Sequence, residues 1–295
     1  MNNQHAHTIN VLKYRLVAFG VSASILLAAG GMYLSGKRFT YSVDFTGGTQ
    51  VQLQFAKPVT SNEMRSILAD AGWSRVSTRE FGGKELLIRV PEVETDSKGL
   101  AERMRQAIVQ ADPELNPVVM QSESVGEGVG ASLRSNSLRA IAFSLIAMLV
   151  YILVRFWSLG FALGAVLALA HDALIMLAIF LLLGREISTN VIGAILAVLG
   201  YSINDTIVIF SQIRSNLSKM RGSRLYDVVN ISISQTLRRT LLTSISTGLP
   251  VASMLIFGGE VLRDFSLALM VGIVFGTCSS IFIASPVMML FSSRK

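Results

Sequence analysis

The chain is poor in the side chains that most enzymes use. It has a single cysteine, Cys278, in 295 residues, which excludes a disulfide framework and a cysteine-built metal cluster. The polar stretch between the first two apolar blocks contains no cysteine and no histidine, and its acidic residues are scattered singly. No catalytic or metal-binding constellation is visible there. A glycine pair, Gly47-Gly48, follows Asp44-Phe45-Thr46, but without the Lys-Ser/Thr that completes a phosphate-binding loop. It suits a tight turn. Charge is also scarce: 15% of residues are charged against 51% hydrophobic, and the mean hydropathy is +0.54. An ordinary soluble domain is not that apolar. The net charge of +7 does not point to nucleic acid, because residues 36–137 carry 12 basic and 13 acidic side chains. The positive excess sits in short segments beside the apolar blocks, as the positive-inside rule expects.

Six apolar blocks are present, each long enough, or nearly so, to cross a bilayer, which takes about 20 residues. The first runs from Leu16 to Ser35 behind Lys13 and Arg15. It has the outline of a signal peptide, but its length and the large segment that follows favour an uncleaved span over residues 16–35. The second is charge-free only from Ala140 to Val154, with snorkelling Arg139 and Arg155 at its ends, and is expected to begin near Ser132. The others are Phe156–Leu183, Val191–Phe210, a span from Thr240 and Phe265–Phe291. Residues 211–239 read as a polar connection with Arg214, Lys219, Arg221, Arg224, Arg238 and Arg239 against Asp227 alone, which makes it cytoplasmic. Alternation then puts residues 1–15, Arg155 and the tail 292–295 on that side, and residues 36–130 outside.

Residues 36–130 form the one sizeable soluble domain, and residues 131–291 hold spans two to six. Gln50–Phe55 alternates like a strand, Ser61–Ala71 is a helix capped by Ser61 and stopped by Gly72, and Trp73–Phe81 is a strand. A Gly82-Gly83 turn leads to a strand over Glu85–Val90; Asp96–Ala111 is an amphipathic helix and Asn116–Glu123 a last strand. The order β-α-β-β-α-β predicts a ferredoxin-like α+β domain. Gly126, Gly128 and Gly130 are expected to be a flexible join that could act as a hinge.

Polar groups inside the spans carry the chemistry. Asp205, with Asn204 beside it, is the only charged residue between Glu186 and Arg214. A carboxylate at mid-membrane costs roughly 2.5–3.5 kcal/mol by insertion scales, so it should face protein or water. It is either a structural carboxylate bonded to a neighbouring helix or a site that titrates and pairs with an ion. Arg239, at the edge of span five, lies near the depth inferred for Asp205, and a pairing between them is geometrically reasonable. Thr236, Thr240, Thr243 and Thr247 share one face of that span, with Ser244 beside them. Pro250 is expected to kink it, and Pro286 to stop the last span. The third span holds His171-Asp172, with a role in helix bonding or in proton conduction. Lines of small residues lead along the helices: Gly20, Ser24 and Ala28; Gly160, Gly164 and Ala168 up to Asp172; Gly193, Ala197 and Gly200 up to Asn204; Ala268, Gly272, Gly276, Ser280 and Ala284. Small residues allow close helix approach in lipid.

These groups suit a proton path better than a pore, which needs carbonyl rings or repeated charge. Low dielectric favours the protonated carboxyl and a nearby guanidinium the ionised one, so moving between the two surroundings would load and release a proton. An intramembrane aspartyl protease would need Asp172 and Asp205 to share a proton, and the glycine-flanked aspartate motif of such proteases is absent. Scaffolding without proton chemistry is the blander alternative.

Val43-Asp44-Phe45-Thr46-Gly47-Gly48, Ala170-His171-Asp172, GYSINDTIVIF over 200–210, SQTLRRTLLTS over 234–244 and Phe257-Gly258-Gly259 together resemble the SecD/SecF family of bacterial protein-export accessory proteins, within the resistance-nodulation-division superfamily. The SecF branch is the better match, and the likeness extends through Phe265–Pro286. The resemblance implies two similar six-span halves, with SecD as the other half and the SecYEG channel and YajC as further partners. It implies use of the proton-motive force, or of Na⁺ in place of H⁺, to assist late export of unfolded preproteins across the inner membrane. No enzyme activity, cofactor or metal is implied. By motif match, Asp205 is the essential membrane aspartate, Arg239 the important arginine, and Asp44, Gly47 and Gly48 the junction below the external domain. A small-molecule or lipid exporter of the same superfamily is the alternative. One departure stands out. Family members usually continue Phe-Asp-Arg-Ile-Arg-Glu-Asn after the aspartate motif, where this chain has Phe210-Ser211-Gln212-Ile213-Arg214-Ser215-Asn216.

Overall fold

The computed structural model describes residues 10–73, 75–81, 83–91 and 97–292. Most of the N-terminal segment, Gly82 of the expected turn, Asp96 and the Arg294-Lys295 tail lie outside the described residues. The chain divides into two units, Tyr41–Leu138 and the remainder on either side of it. Helix α1 (Arg15–Leu34) opens the second of these units.

The inserted unit follows a two-residue strand β1 (Thr40–Tyr41) with a one-turn helix α2 (Val43–Thr46), strand β2 (Gly48–Gln54) and helix α3 (Ser61–Asp70). Strands β3 (Ser77–Phe81) and β4 (Glu85–Val90), helix α4 (Ser97–Ala111) and strand β5 (Val118–Val125) complete it. The sheet order is β3-β4-β2-β5, and every pairing is antiparallel. Period-two alternation puts Val51, Leu53, Leu86, Ile88 and Val90 on one face. Met64 and Leu68 of α3 and Leu100, Met104 and Ile108 of α4 cover them, and together they form the core of the unit. The cap of α3 is Thr60, which accepts from Glu63 N at 3.3 Å, one residue before the expected Ser61. The expected strand from Trp73 starts only at Ser77; Trp73 packs against the core instead.

Among the described residues, six helical stretches are long and apolar enough to cross a membrane. After α1 they are α5 (Glu127–Phe156), α6 (Leu159–Leu183), α7 (Thr189–Lys219, preceded by the short strand β6, Glu186–Ile187), α8 (Leu225–Phe257) and α9 (Gly259–Ser279). A π-helical segment, Ser280–Ala284, joins α9 to α10 (Ser285–Phe291), which completes the sixth span. At one end of the bundle Lys37 Nζ donates to Leu182 O at 3.1 Å, and Arg185 Nη1 pairs with Asp264 Oδ1 at 3.1 Å.

Several expectations are corrected. Helix α5 begins at Glu127, not near Ser132, so Gly128 and Gly130 are helical and do not form a loose join. A Cβ on Gly130 would lie 3.0 Å from Gly47 N, so that glycine serves a close backbone contact. The connection over 211–239 is almost wholly helical, because α7 runs to Lys219 and α8 starts at Leu225. Pro250 lies inside α8, a placement that the expected kink allows. Pro286 does not stop the last span; it lies in the first turn of α10, where its missing N–H is tolerated.

The lines of small residues split into two kinds. Gly160, Gly164, Ala168, Ala268, Gly272, Gly276, Ser280 and Ala284 are all buried. A Cβ on Gly164 would meet Ala284 O at 2.6 Å, one on Gly160 would meet Ser292 Oγ at 2.8 Å, and one on Gly272 would collide with Val198. By contrast, Gly20, Ser24 and Ala28 are exposed, and α1 packs through Ser22 and Ala29. Ala29 meets Ala178 and Leu181 of α6. Gly193, Ala197, Gly200 and Asn204 are exposed too, with nothing within 4 Å of a Cβ on either glycine. Within this chain, α7 packs through the opposite face, with Val191, Ala194, Ile195, Val198 and Ser202.

Candidate functional site

Asp205 lies on the buried face of α7 at 2% exposure. That face reads Val198, Ser202, Asp205, Thr206 and Ile209 at helical spacing, which brings the carboxyl against α8 and α9. Its one hydrogen bond among the described residues is from Thr243 Oγ1 to Oδ1, at 3.4 Å. The same hydroxyl lies 2.9 Å from Thr240 O and 3.1 Å from Arg239 O, so its single proton is contested by two closer acceptors. The other oxygen, Oδ2, is buried and receives no hydrogen bond from the described residues; Thr240 Oγ1, also buried, is likewise unpaired. Arg239 is exposed, and no ion pair within 4.0 Å joins it to Asp205 among the described residues, although its charge is near enough to bear on the carboxyl. Asn204 faces outward, away from its neighbour in sequence. Thr247 is exposed and donates back to Thr243 O at 3.0 Å.

Asp172 is the contrasting case. It is fully buried on α6, and its Oδ2 accepts from Ser202 Oγ of α7 at 2.7 Å and Ser279 Oγ of α9 at 2.8 Å. His171 Nδ1 lies 3.1 Å from Oδ1. Three helices therefore meet on one carboxylate. Gly276 makes room for it, since a Cβ there would sit 3.1 Å from Ser202 Cβ and 3.5 Å from Asp172 Oδ2. Among the described residues no hydrogen bond joins Asp172 to Asp205, so the shared-proton arrangement of an aspartyl protease is not formed.

A belt of hydroxyls lies beside the two acids. Thr206 Oγ1 and Ser280 Oγ are 2.9 Å apart, Ser280 Oγ donates to Ser202 O at 3.2 Å, and Ser244 Oγ lies 2.6 Å from Thr277 Oγ1. Tyr201 OH donates to Ser244 Oγ at 3.2 Å. Ser202, Thr206, Thr277 and Ser279 do not stand out in the sequence; the one signal is that Ser202 and Thr206 are four apart on the face that carries Asp205. At the far end of α7 one of the departures noted above, Gln212, and the nearby Asn216 form amide contacts. Gln212 Nε2 donates to Gln235 Oε1 at 2.7 Å, and Asn216 Nδ2 donates to Ser232 Oγ at 2.9 Å and Gln235 Oε1 at 2.8 Å. Charge-free groups thus hold α7 to α8 there.

In the inserted unit, Asp44 lies in the one-turn α2, and Gly47 and Gly48 follow with φ of 74° and 111°. A Cβ on Gly48 would sit 2.6 Å from Val90 O, so both the backbone angle and the space require glycine.

The model of the family described as "Protein export membrane protein SecD/SecF, C-terminal" matches residues 105–294, and the "SecD/SecF GG Motif" matches residues 33–59. The chain belongs to the SecD/SecF family. Among SecD/SecF relatives, "Protein translocase subunit SecF" of Pseudomonas aeruginosa is 39% identical over 283 residues, spanning 95% of this chain and 90% of the relative. "Protein translocase subunit SecDF" of Thermus thermophilus is 38% identical over 277 residues, 91% of this chain and 36% of that one. The crystal structure of SecDF, a translocon-associated membrane protein from Thermus, superimposes with a TM-score of 0.86 at 34% identity, over 98% of this chain and 39% of that chain. A SecDF structure in a super-membrane-facing form gives 0.68 at 35% identity, over 96% of this chain and 38% of that one. The chain spans about two fifths of the fused SecDF length.

Proposed function

We propose that this chain is a SecF-type accessory subunit of the Sec protein translocase, which together with SecD couples the proton-motive force to late-stage export of preproteins. The observation that carries the reading is Asp205: a buried carboxyl, lone in its helix, with one oxygen that no described residue bonds and the other sharing a contested hydroxyl. An anion in that position lacks the donors that would hold it, and a proton on Oδ2 removes the charge. When the proton leaves, Arg239, midway along α8, is the cation that can approach. Asp205, Arg239 and Asn204 are the coupling set in this reading, with Thr240, Thr243, Ser244 and Thr247 supporting them. The two protonation states then favour different packings of α7 against α8.

The membrane is the bacterial inner membrane, with both termini cytoplasmic and residues 36–130 periplasmic, as the basic residues of the 211–239 segment favour. The periplasmic domain is ferredoxin-like. Its element order and its β3-β4-β2-β5 sheet support that assignment, and the domain engages the emerging chain. SecD covers the exposed line Gly193, Ala197, Gly200 and Asn204, where no described residue comes within 4 Å of a Cβ on either glycine; relatives in which SecD and SecF are fused support the pairing. SecYEG and YajC are further partners. The coupling ion is H⁺, with Na⁺ the alternative, and no cofactor takes part. The test is export into vesicles containing this chain and its SecD, with pH and sodium gradients imposed separately. Asp205→Asn is expected to assemble normally and to lose gradient-driven export; full gradient-driven export by the mutant would overturn the reading.

A further inference from the structure

The Phe257-Gly258-Gly259 run turns the chain from α8 into α9. A Cβ on Gly258 would collide with Met254 O, and Gly259 has a φ of 69°, so the turn requires glycine at both positions. Behind this turn a cavity of about 620 Å³ opens between the ends of α6, α8 and α9. That volume falls within the roughly 300–1,000 Å³ of small-molecule sites. Its lining is graded from charged to apolar. Gly259, Arg263 and Leu267 follow one another at intervals of four on one face of α9, and each step lies about 6 Å further along the helix. Arg263 thus stands between bare backbone at the helix end and a leucine side chain towards the middle of the span. It lies in the first turn of the sixth membrane-length stretch, Leu262–Phe291. Arg185, just past the end of α6, faces the same space. Its Nη1 donates to Asp264 Oδ1 at 3.1 Å, which holds the guanidinium in place with one of its five N–H donors. The apolar wall is made by Leu183 of α6 and by Leu255 and Ile256 of α8. Leu183 is 57% exposed and Ile256 70%, so this wall is open to the side. Both charged residues among the described lining are arginines, and no acid is among them.

We propose that this cavity binds one anionic phospholipid, with its phosphodiester between Arg185 and Arg263 and its acyl chains along Leu183, Ile256 and Leu267. Guanidinium forks match phosphate oxygens two at a time, and basic pockets between membrane helices take lipid head groups. The open apolar wall argues for a lipid over a free phosphate ion, which would leave it unused. The lining argues against a zwitterionic head group, because no described lining residue would receive its ammonium. A lipid seated there bridges the end of α6 to the start of α9, beside the glycine turn. The proposal requires only that the apolar stretches cross a bilayer; it is independent of any proton chemistry at Asp205.

The test is native mass spectrometry of the full chain assembled with SecD, released from vesicles holding equal parts of phosphatidylglycerol and phosphatidylcholine with matched acyl chains. The wild-type complex is expected to retain phosphatidylglycerol in preference to phosphatidylcholine. Arg263 is exposed, so Arg263→Gln should assemble, and it should weaken that retention about tenfold. Arg221→Gln is the control: it removes one exposed cation from the connection between α7 and α8, at the opposite end of the bundle, and should leave retention unchanged. Equal losses in the two variants would reveal general charge attraction and overturn the site. Equal retention of the two lipids by the wild type would overturn the anionic ligand, and this comparison decides the matter if Arg263→Gln fails to assemble. Displacement of phosphatidylglycerol by excess inorganic phosphate would make free phosphate the ligand and overturn the lipid. Asp205→Asn should retain the lipid as the wild type does, so failure of either reading leaves the other standing.

Discussion

Asp172 and Asp205 are each the lone carboxylate of a membrane-length helix, and both are buried, yet their surroundings differ in kind. Asp172 is held by donors from α7, from α9 and from the adjacent imidazole. Asp205 has one long contact from a hydroxyl that two carbonyls also claim, and a bare second oxygen. The first arrangement fixes helices to one another. The second leaves the charge state open to whatever approaches. Burial alone therefore does not say what a membrane carboxylate does; the count of its donors does.

The contrast can be broken by substitution. The largest structural loss is expected from Asp172→Ala, which unties α6 from Ser202 and Ser279, leaves those hydroxyls only Gly276 O at 3.5 and 3.1 Å, and should cost about 1–3 kcal/mol, whereas Asp205→Asn should leave the thermal midpoint of the complex nearly unchanged. Equal losses in a melting experiment would remove the distinction. Next come the glycines. Gly272→Leu drives a side chain into Val198 and should cost about 1–3 kcal/mol or more. At Gly200 no described residue comes within 4 Å of an added Cβ, so for Gly200→Leu the isolated subunit should melt as before while its association with SecD weakens. Pull-down yields of the two variants check this. Ser280→Ala removes a contact to Thr206 and one to Ser202 and should cost about 0.5–1.5 kcal/mol. The smallest effect is expected outside the membrane, at Arg105→Ala on α4. Arg105 donates to Glu102 from an exposed position and holds that carboxyl below its ordinary range through the hydrogen bond. Its removal should raise the Glu102 titration in an NMR experiment and leave the melting temperature unchanged. Because the folded-state value is depressed, any stability this pair contributes is present above the unfolded carboxylate range and fades as the pH falls through the folded value.

Much of the membrane architecture was legible because apolar length is a local property: each of the six spans can be counted along the chain. The polar unit was legible because alternation in Gln50–Phe55 and Glu85–Val90 and the helical period of Ser61–Ala71 are also local. What failed was direction. Gly160, Gly164 and Ala168 form the same pattern as Gly20, Ser24 and Ala28, but the first line is buried and the second exposed. A small-residue line states that a helix can be approached closely, not that a partner lies in the same chain. Helix limits failed for a related reason: the polar residues over 211–239 suggested a connection, but Gln212, Asn216, Ser232 and Gln235 satisfy one another between two helices. The serines that bind Asp172 were equally hidden, since Ser202 and Ser279 acquire meaning only when α6, α7 and α9 meet.

The sequence by itself determined that this chain has six membrane-length helices, a polar β-α-β-β-α-β insertion and two isolated membrane acids, because length, period and charge are written residue by residue. The tertiary structure alone decided that Asp172 is bound by three donors while Asp205 keeps a free oxygen. Hydrogen bonds between helices depend on which faces meet, and a one-dimensional pattern cannot specify that.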